Sequence, residues 1–239
     1  MSRVAIVAAL EREVRPLTKK WHVSEKEYEG RKFRFFENNE TVLVCGGIGA
    51  EAARRSAQAV IALYQPKIIY SVGFAGALDK RLRVGDIVEP ARIIDASDGS
   101  SIKMNCGEGL LVSFESVATA EQKKKLADSY GAQAVDMEAA AVATAAEAGG
   151  AAFAAIKVVS DETEHSLPSM ERFIDSHGQL LERQFAIFAA LRPWLWISVL
   201  RLGRNSARAS RVLCERLRMI EHRSSGLRDG AGLEVVNRR

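Results

Sequence analysis

The stretch AVDMEAAAVATAAEAGG, residues 134–150, is followed closely by AAIKVVSDETE, residues 154–164. Gln133–Val135 reads as a short strand, Met137–Gly149 as an alanine-rich helix closed by glycines, and Phe153–Val159 as a buried strand of mostly apolar residues. Strand, helix, strand in so short a span is the repeating unit of an α/β sheet. Acids interrupt this core-like composition at Asp136, Glu138 and Asp161. Burying a charge is costly unless something pairs with it, so these positions ask for a reason other than packing.

The same alternation extends toward the N-terminus. Val4–Ala9 is a short apolar strand followed by a helical stretch, Glu11–Lys20. Lys32–Glu37 and Thr41–Cys45 read as a strand pair joined at Asn38–Asn39. Gly46-Gly47-Ile48-Gly49 opens an alanine-rich helix that ends near Pro66, and Lys67–Val72 is a buried strand running into Gly73-Phe74-Ala75-Gly76. Asp86–Ile94 is expected as one strand, Ser97–Gly109 as a loop, Leu110–Ser113 as a strand and Thr119–Ser129 as a helix. This predicts an α/β sheet covered by helices on both faces. After Pro168 one helix is expected over about 169–190, and a second starts at Pro193. In the second, Arg201, Arg204, Arg208, Arg211, Glu215 and Arg218 form a polar stripe opposite Leu195, Val199, Leu202, Ala209, Leu213 and Ile220. The expected division is an α/β domain over 1–167, helices over 168–221 and a disordered tail over 222–239, rich in Arg, Ser and Gly.

A chain of 239 residues, 47% hydrophobic and 27% charged, has the composition of a globular protein with one large domain. Cys45, Cys106 and Cys214 are odd in number and lack metal spacing, which favours a reducing compartment. The N-terminal apolar run is too short for a signal-peptide core, and no stretch approaches the ~20 apolar residues of a spanning helix. A cytoplasmic protein is expected. The net charge of +4 is uneven: residues 191–239 hold eleven Arg and four acids, a net of +7, which leaves −3 for the rest. Such a basic segment suits an anionic partner. No aromatic-basic pattern accompanies it, so nucleic acid is not the expected partner.

Ligands of α/β sheets gather beyond the carboxyl ends of the strands. Glu11–Glu13, Gly46–Gly49, Gly73–Gly76 and Ser160–Asp161 all follow strands, and Met137–Glu138 opens a helix. Each acid alone has a plain alternative as a helix-dipole or capping residue. GGIGAE lacks the third glycine of a dinucleotide fingerprint, and no acid ends a following strand at the right distance. His22, His165, His177 and His222 show no ligand spacing, so neither a metal nor an organic cofactor is expected.

In their order, AIVAALEREV (5–14), VLVCGGIGAEAA (42–53), SVGFAGALDKRLRVGDIV (71–88), AVDMEAAAVA (134–143) and KVVSDETE (157–164) resemble the purine nucleoside phosphorylase and methylthioadenosine/S-adenosylhomocysteine nucleosidase superfamily. The resemblance implies a three-layer sandwich around a mixed, partly barrel-like sheet and cleavage between a ribose carbon and a base nitrogen. It implies that Glu13 activates the attacking water and Asp161, beside Ser160, protonates the purine. Glu138, with Met137, would bind the ribose, and Gly73, Phe74, Ala75, Gly76 and Val117 would contact substrate. Such a mechanism needs Asp161 protonated near neutral pH, and burial beyond an apolar strand shifts a carboxyl in that direction. Gly47, Gly49 and Arg54 would form a phosphate or water site. Glu13 favours hydrolysis, yet Arg54 and Arg55 leave phosphorolysis, with inorganic phosphate as co-substrate, open beside their reading as solvated helix residues.

Three features depart from the family pattern. Phe74 stands where a small polar residue is usual, the segment between Asp95 and Leu110 is short, and the basic amphipathic helix looks like an addition. The words MERFIDSHGQLLERQFAIFAALRPWLWISVLRLGRNSARASR (170–211) resemble the hopanoid-associated branch, which implies removal of adenine from adenosylhopane to give ribosylhopane. A lipid-linked nucleoside would want an open pocket and a docking surface. With Trp194 and Trp196 nearby, residues 193–221 suit the inner face of a membrane. The other readings are that their apolar face packs on the domain or on a second subunit. A homo-oligomer is expected by resemblance, and a catalytically silent nucleoside- or lipid-binding protein remains the alternative from another class.

Overall fold

The computed structural model describes residues 4–164, 173, 175, 178, 181–192 and 195–226. In chain order the elements are β1 (Val4–Ala8), α1 (Glu11–Thr18), β2 (His22–Tyr28), β3 (Arg31–Asn38), β4 (Thr41–Cys45), α2 (Ala50–Tyr64) and β5 (Ile68–Ala77). There follow β6 (Ile87–Val88), β7 (Arg92–Asp95), β8 (Ser101–Lys103), β9 (Leu110–Ser113), α3 (Ala120–Tyr130) and β10 (Ala134–Asp136). The described chain closes with α4 (Ala139–Ala148), β11 (Ala152–Asp161), α5 (Glu182–Ala190) and α6 (Trp196–Gly226).

The strands form one mixed sheet ordered β2-β3-β4-β1-β5-β10-β9-β7-β8. β11 lies along the other edge of β5 and also pairs with β6. β5 is the hub. β1 pairs in parallel with its first half, and β10 pairs antiparallel with its end at Gly76 and Ala77. Helices cover both faces, so β1 is buried throughout and needs no alternation of polar residues. One face packs Val14, Leu17, Val72, Val158 and the α6 residues Ala209, Leu213, Cys214 and Leu217 together. The other packs α2 and α4 alanines and valines against Val7, Val44 and Ile69. This is the expected three-layer sandwich.

Several local expectations change. Asp86–Ile94 is not one strand: β6 and β7 are separated at Glu89–Pro90, where proline has no N–H for a ladder. β2 and β8 were not expected as strands. Both are edge strands made mostly of polar residues, so they carry little apolar signal. The helix over 169–190 is not continuous. Gly178 has φ 76° and Leu181 lies before α5, which starts at Glu182. A Cβ at Gly178 would stand 2.4 Å from the Ile48 carbonyl oxygen, so the chain needs glycine there. α6 runs to Gly226, past the expected tail boundary at 222, while 227–239 and Pro193, Trp194 and Met170 lie outside the described residues.

Candidate active site

At the carboxyl ends of β1, β5, β10 and β11 lies a cavity of about 140 Å³. Glu13, Phe74, Ala75, Gly76, Val117, Met137, Glu138, Ser160 and Asp161 all line it. Gly73 stands directly behind. Gly47, Gly49 and Arg54 do not line it. Gly49 acts through its backbone, whose N–H donates to Glu138 Oε1 at 3.0 Å. Arg54 faces solvent and pairs with Glu51 at 2.6 Å, and Arg55 pairs with the same acid. The reading of Arg54 and Arg55 as solvated helix residues is thus the one the geometry matches. No residue of the short 96–109 segment lines the cavity.

Glu13 sits in the first turn of α1, where the Leu10 N–H reaches its Oε2 at 3.4 Å. Pro16 lies inside this helix and cannot donate to the carbonyl of Arg12, four residues back. Ser210 of α6 makes good the loss: its hydroxyl donates to the Glu13 carbonyl at 2.9 Å and approaches that of Arg12 at 3.3 Å. Farther along, Arg218 donates to the Pro16 carbonyl at 2.9 Å. The C-terminal helix therefore holds the backbone that carries Glu13. Sequence reading missed this role because Ser210 lies almost the whole chain away.

Behind Glu13 are three further charged groups, Asp136 and Lys157 buried and Glu138 nearly so. Asp136 accepts the Ser113 hydroxyl at 2.6 Å and the Ala139 N–H, at the start of α4, at 2.8 Å. Lys157 Nζ, from β11, lies 2.8 Å from Asp136 Oδ2 and 4.0 Å from Glu138 Oε2. Gly73, with φ 148°, opens the space: a Cβ there would stand 3.0 Å from Glu13 Oε2 and 3.9 Å from Lys157 Nζ. Three carboxyls gather about one ammonium here. Burial, aided by the Glu138 charge and opposed by Lys157, pushes Glu13 up to about 7. Burial also raises Glu138, against the pull of Lys157. Burial works to lower Lys157, but Asp136 and Glu138 outweigh it and hold it above its ordinary value. Lys157 was not singled out in the sequence, although it is a lysine inside the run Ile156–Val159.

Asp161 occupies a second charged cluster. Pairing with β5 slips between Val159 and Asp161, and this bulge inserts Ser160 and re-aims the acid. The Ser160 hydroxyl donates to Asp161 Oδ1 at 2.7 Å. Asp161 Oδ2 takes the Lys123 ammonium, which reaches it from α3 and also donates to the Glu162 carbonyl at 2.8 Å. Asp161 is buried beyond an apolar strand and beside Ser160, and a buried lysine that the sequence reading did not single out also stands next to it. Gly76 clears this space too, since a Cβ would stand 3.1 Å from both Asp161 Oδ2 and Lys123 Cε.

Past Phe74 the cavity continues into a groove of about 730 Å³ between α1 and α6. Arg12, Phe74, Leu202 and Ser206 line both spaces. Pro16, Phe185, Val199 and Leu202 give the groove an apolar floor, and Arg12, Arg15, Lys19 and Arg211 line it with cations. Among the described residues no group of three or more His, Cys, Asp or Glu is placed to hold a metal ion.

A buried carboxyl pair at the strand ends of such a sheet marks an α/β enzyme built to move protons. The family model described as Phosphorylase superfamily matches residues 3–108 and 103–191, and the chain belongs to that superfamily. The 5′-methylthioadenosine/S-adenosylhomocysteine nucleosidase of Staphylococcus aureus (strain MRSA252) is 28% identical over 222 residues, covering 75% of this chain and 97% of the relative. In fold, the chain is similar to the Helicobacter pylori nucleosidase of the same name, with TM-score 0.70, 15% identity and coverage of 93% of this chain and 98% of that one. It is also similar to the native futalosine hydrolase of Helicobacter pylori strain 26695, with TM-score 0.69, 16% identity and coverage of 92% and 98%. Coverage of 93% leaves fewer residues unmatched than the 31 of α6, so part of the C-terminal helix has a counterpart in that fold. Its buried residues in the shared core explain why the fold needs it.

Proposed function

We propose that the protein hydrolyses the N-glycosidic bond of an adenine nucleoside with a large apolar 5′ substituent, adenosylhopane being the substrate the sequence favours, to give ribosylhopane and adenine. The observation that carries this is the joining of two spaces: an acid-lined cavity holding Glu13, Glu138 and Asp161, and an apolar groove reached past Phe74. In this reading Glu13, titrating about 7, takes a proton from water as it attacks the anomeric carbon. Glu138 accepts from the ribose hydroxyls, and the Asp161 site protonates the departing purine. The Glu13 side has to accept a proton and the Asp161 side to deliver one, and the two carboxyls have different surroundings. The lipid follows the groove, and Phe74 lies against it in place of a hydroxyl.

Free adenine is measured from adenosylhopane and from methylthioadenosine, each with and without phosphate. Release from adenosylhopane without phosphate is expected. Dependence on phosphate, with a sugar 1-phosphate product, overturns hydrolysis in favour of phosphorolysis. Saturable nucleoside binding with no base release overturns the enzymatic reading in favour of a silent binder. No described helix is long and apolar enough to cross a membrane. Ile187, Leu191, Trp196, Ile197 and Leu200 are nonetheless exposed together on α5, α6 and the turn between them, near the groove. Peripheral contact of this patch with a bilayer gives a lipid substrate a way in. Sedimentation with phosphatidylglycerol vesicles is expected to weaken several-fold in I197D/L200D. Unchanged sedimentation removes this surface from the proposal.

A further inference from the structure

We infer that Lys123 supplies the proton taken up by the departing base, with Asp161 as the carboxylate through which it passes. This rests on the hydrolytic reading above and adds a catalytic group to it. α3 carries three lysines in a row, and two behave as surface residues: Lys124 is exposed, and Lys125 pairs with Glu121 at 2.8 Å in solvent. Lys123 instead turns inward, is 2% exposed, and lines the cavity beside Asp161. A lysine is not desolvated on a surface helix unless a charge receives it.

The arrangement about Asp161 decides where the mobile proton lies. Its Oδ1 accepts from Ser160 and its Oδ2 from Lys123, so both oxygens face donors. A carboxyl carrying its own proton on Oδ2 would set an O–H against the Lys123 ammonium, which can only donate. The ion pair thus keeps its proton on nitrogen, and a base arriving at Asp161 draws it from there. In the step, the C1′–N9 bond breaks and its electron pair stays with the purine. A Lys123 N–H proton moves to Oδ2, and the Asp161 acid so formed passes a proton to N7. Water forms the new C–O bond and loses its proton to Glu13. Lys123 is left as the amine and Glu13 as the acid, and exchange with solvent resets both, so one water is consumed overall.

The test compares Lys123→Arg and Lys123→Met with the wild-type protein on methylthioadenosine and on 4-nitrophenyl β-D-ribofuranoside. Arginine keeps the charge and the donors but does not release a proton, so it separates delivery from positioning. Both variants are expected to lose kcat on the nucleoside by roughly 10²–10⁴-fold, the range of general-acid catalysis. Both should stay within a few-fold of wild type on the nitrophenyl riboside, whose leaving group departs without protonation. In Lys123→Met the ratio to wild type should rise as pH falls, because Asp161 then takes its proton from solvent. A Lys123→Arg protein with wild-type rate and pH profile, or equal losses on both substrates, overturns the inference. Melting curves report folding, and Lys123→Arg carries the test if Lys123→Met is unfolded. Failure of the wild-type protein to release base from any nucleoside is a separate result that sinks the hydrolytic reading itself.

Discussion

Two lysine–aspartate pairs lie buried at the strand ends, and they are built differently. In Lys157–Asp136 the aspartate is the anchored partner, while Lys157 Nζ meets it as a buried ion pair at 2.8 Å. Asp136 also holds the Ser113 hydroxyl and the first turn of α4, and Lys157 serves Glu138 as well. In Lys123–Asp161 both partners line the cavity, with Ser160 and the Glu162 carbonyl beside them. The first pair lies beside Glu13 and Glu138, and the second lies at the Asp161 side of the cavity. The two pairs differ in their lysines: Lys157 is buried away from the cavity that Asp136 lines, whereas Lys123 lines it together with Asp161.

Removing one partner of the enclosed pair is expected to have the largest effect on folding. Lys157→Met leaves Asp136 and Glu138 without their cation, and loss of roughly 3–5 kcal/mol in urea unfolding is expected. A loss below about 1 kcal/mol would show that the acids are screened by something else. Asp161→Asn should leave the protein folded but lower base release by about 10³-fold, within the range for a lost general acid. Turnover near wild type in that variant breaks the distinction between the two pairs.

Glu13→Gln sharpens it through pH. Glu13 titrates about 7 in the folded protein against an ordinary 4.5. The folded state therefore holds this proton more tightly, and the stability it contributes is complete below about 4.5 and lost as pH rises through about 7. Relative to wild type, Glu13→Gln should gain up to roughly 3 kcal/mol between pH 4.5 and pH 8, read by thermal melts at both pH values. The same ionisation makes wild-type base release rise with pH through about 7, and Glu13→Gln should lose roughly 10²-fold. A melt difference that does not change with pH would show that burial does not govern Glu13. The smallest effect belongs to the exposed pair Arg54–Glu51. Arg54→Ala should change stability by less than about 0.5 kcal/mol and leave turnover unchanged with or without phosphate. A phosphate-linked loss would return Arg54 to the site.

Much of this was legible in the chain. The alternation of apolar runs and alanine-rich helices marked the layers, and strands buried on both faces, such as Val4–Ala8, announced a covered sheet. The polar edge strands His22–Tyr28 and Ser101–Lys103 were not legible, because pairing alone makes them strands. Nor was the break at Gly178, which depends on the approach of Ile48.

The sequence by itself determined that acids stand at strand ends among apolar residues, with Glu13, Glu138 and Asp161 in the order of a nucleoside-cleaving family. Those are local facts of composition and spacing. Tertiary structure alone decided their partners and hence their charge states. Lys123 meets Asp161 across 38 positions, and Ser210 supports Glu13 across 197. A lysine among lysines reads as solvated, and a serine on a basic helix as surface. Only the packing that removes water makes one an acid's partner and the other a brace, since electrostatic coupling gains its strength from burial.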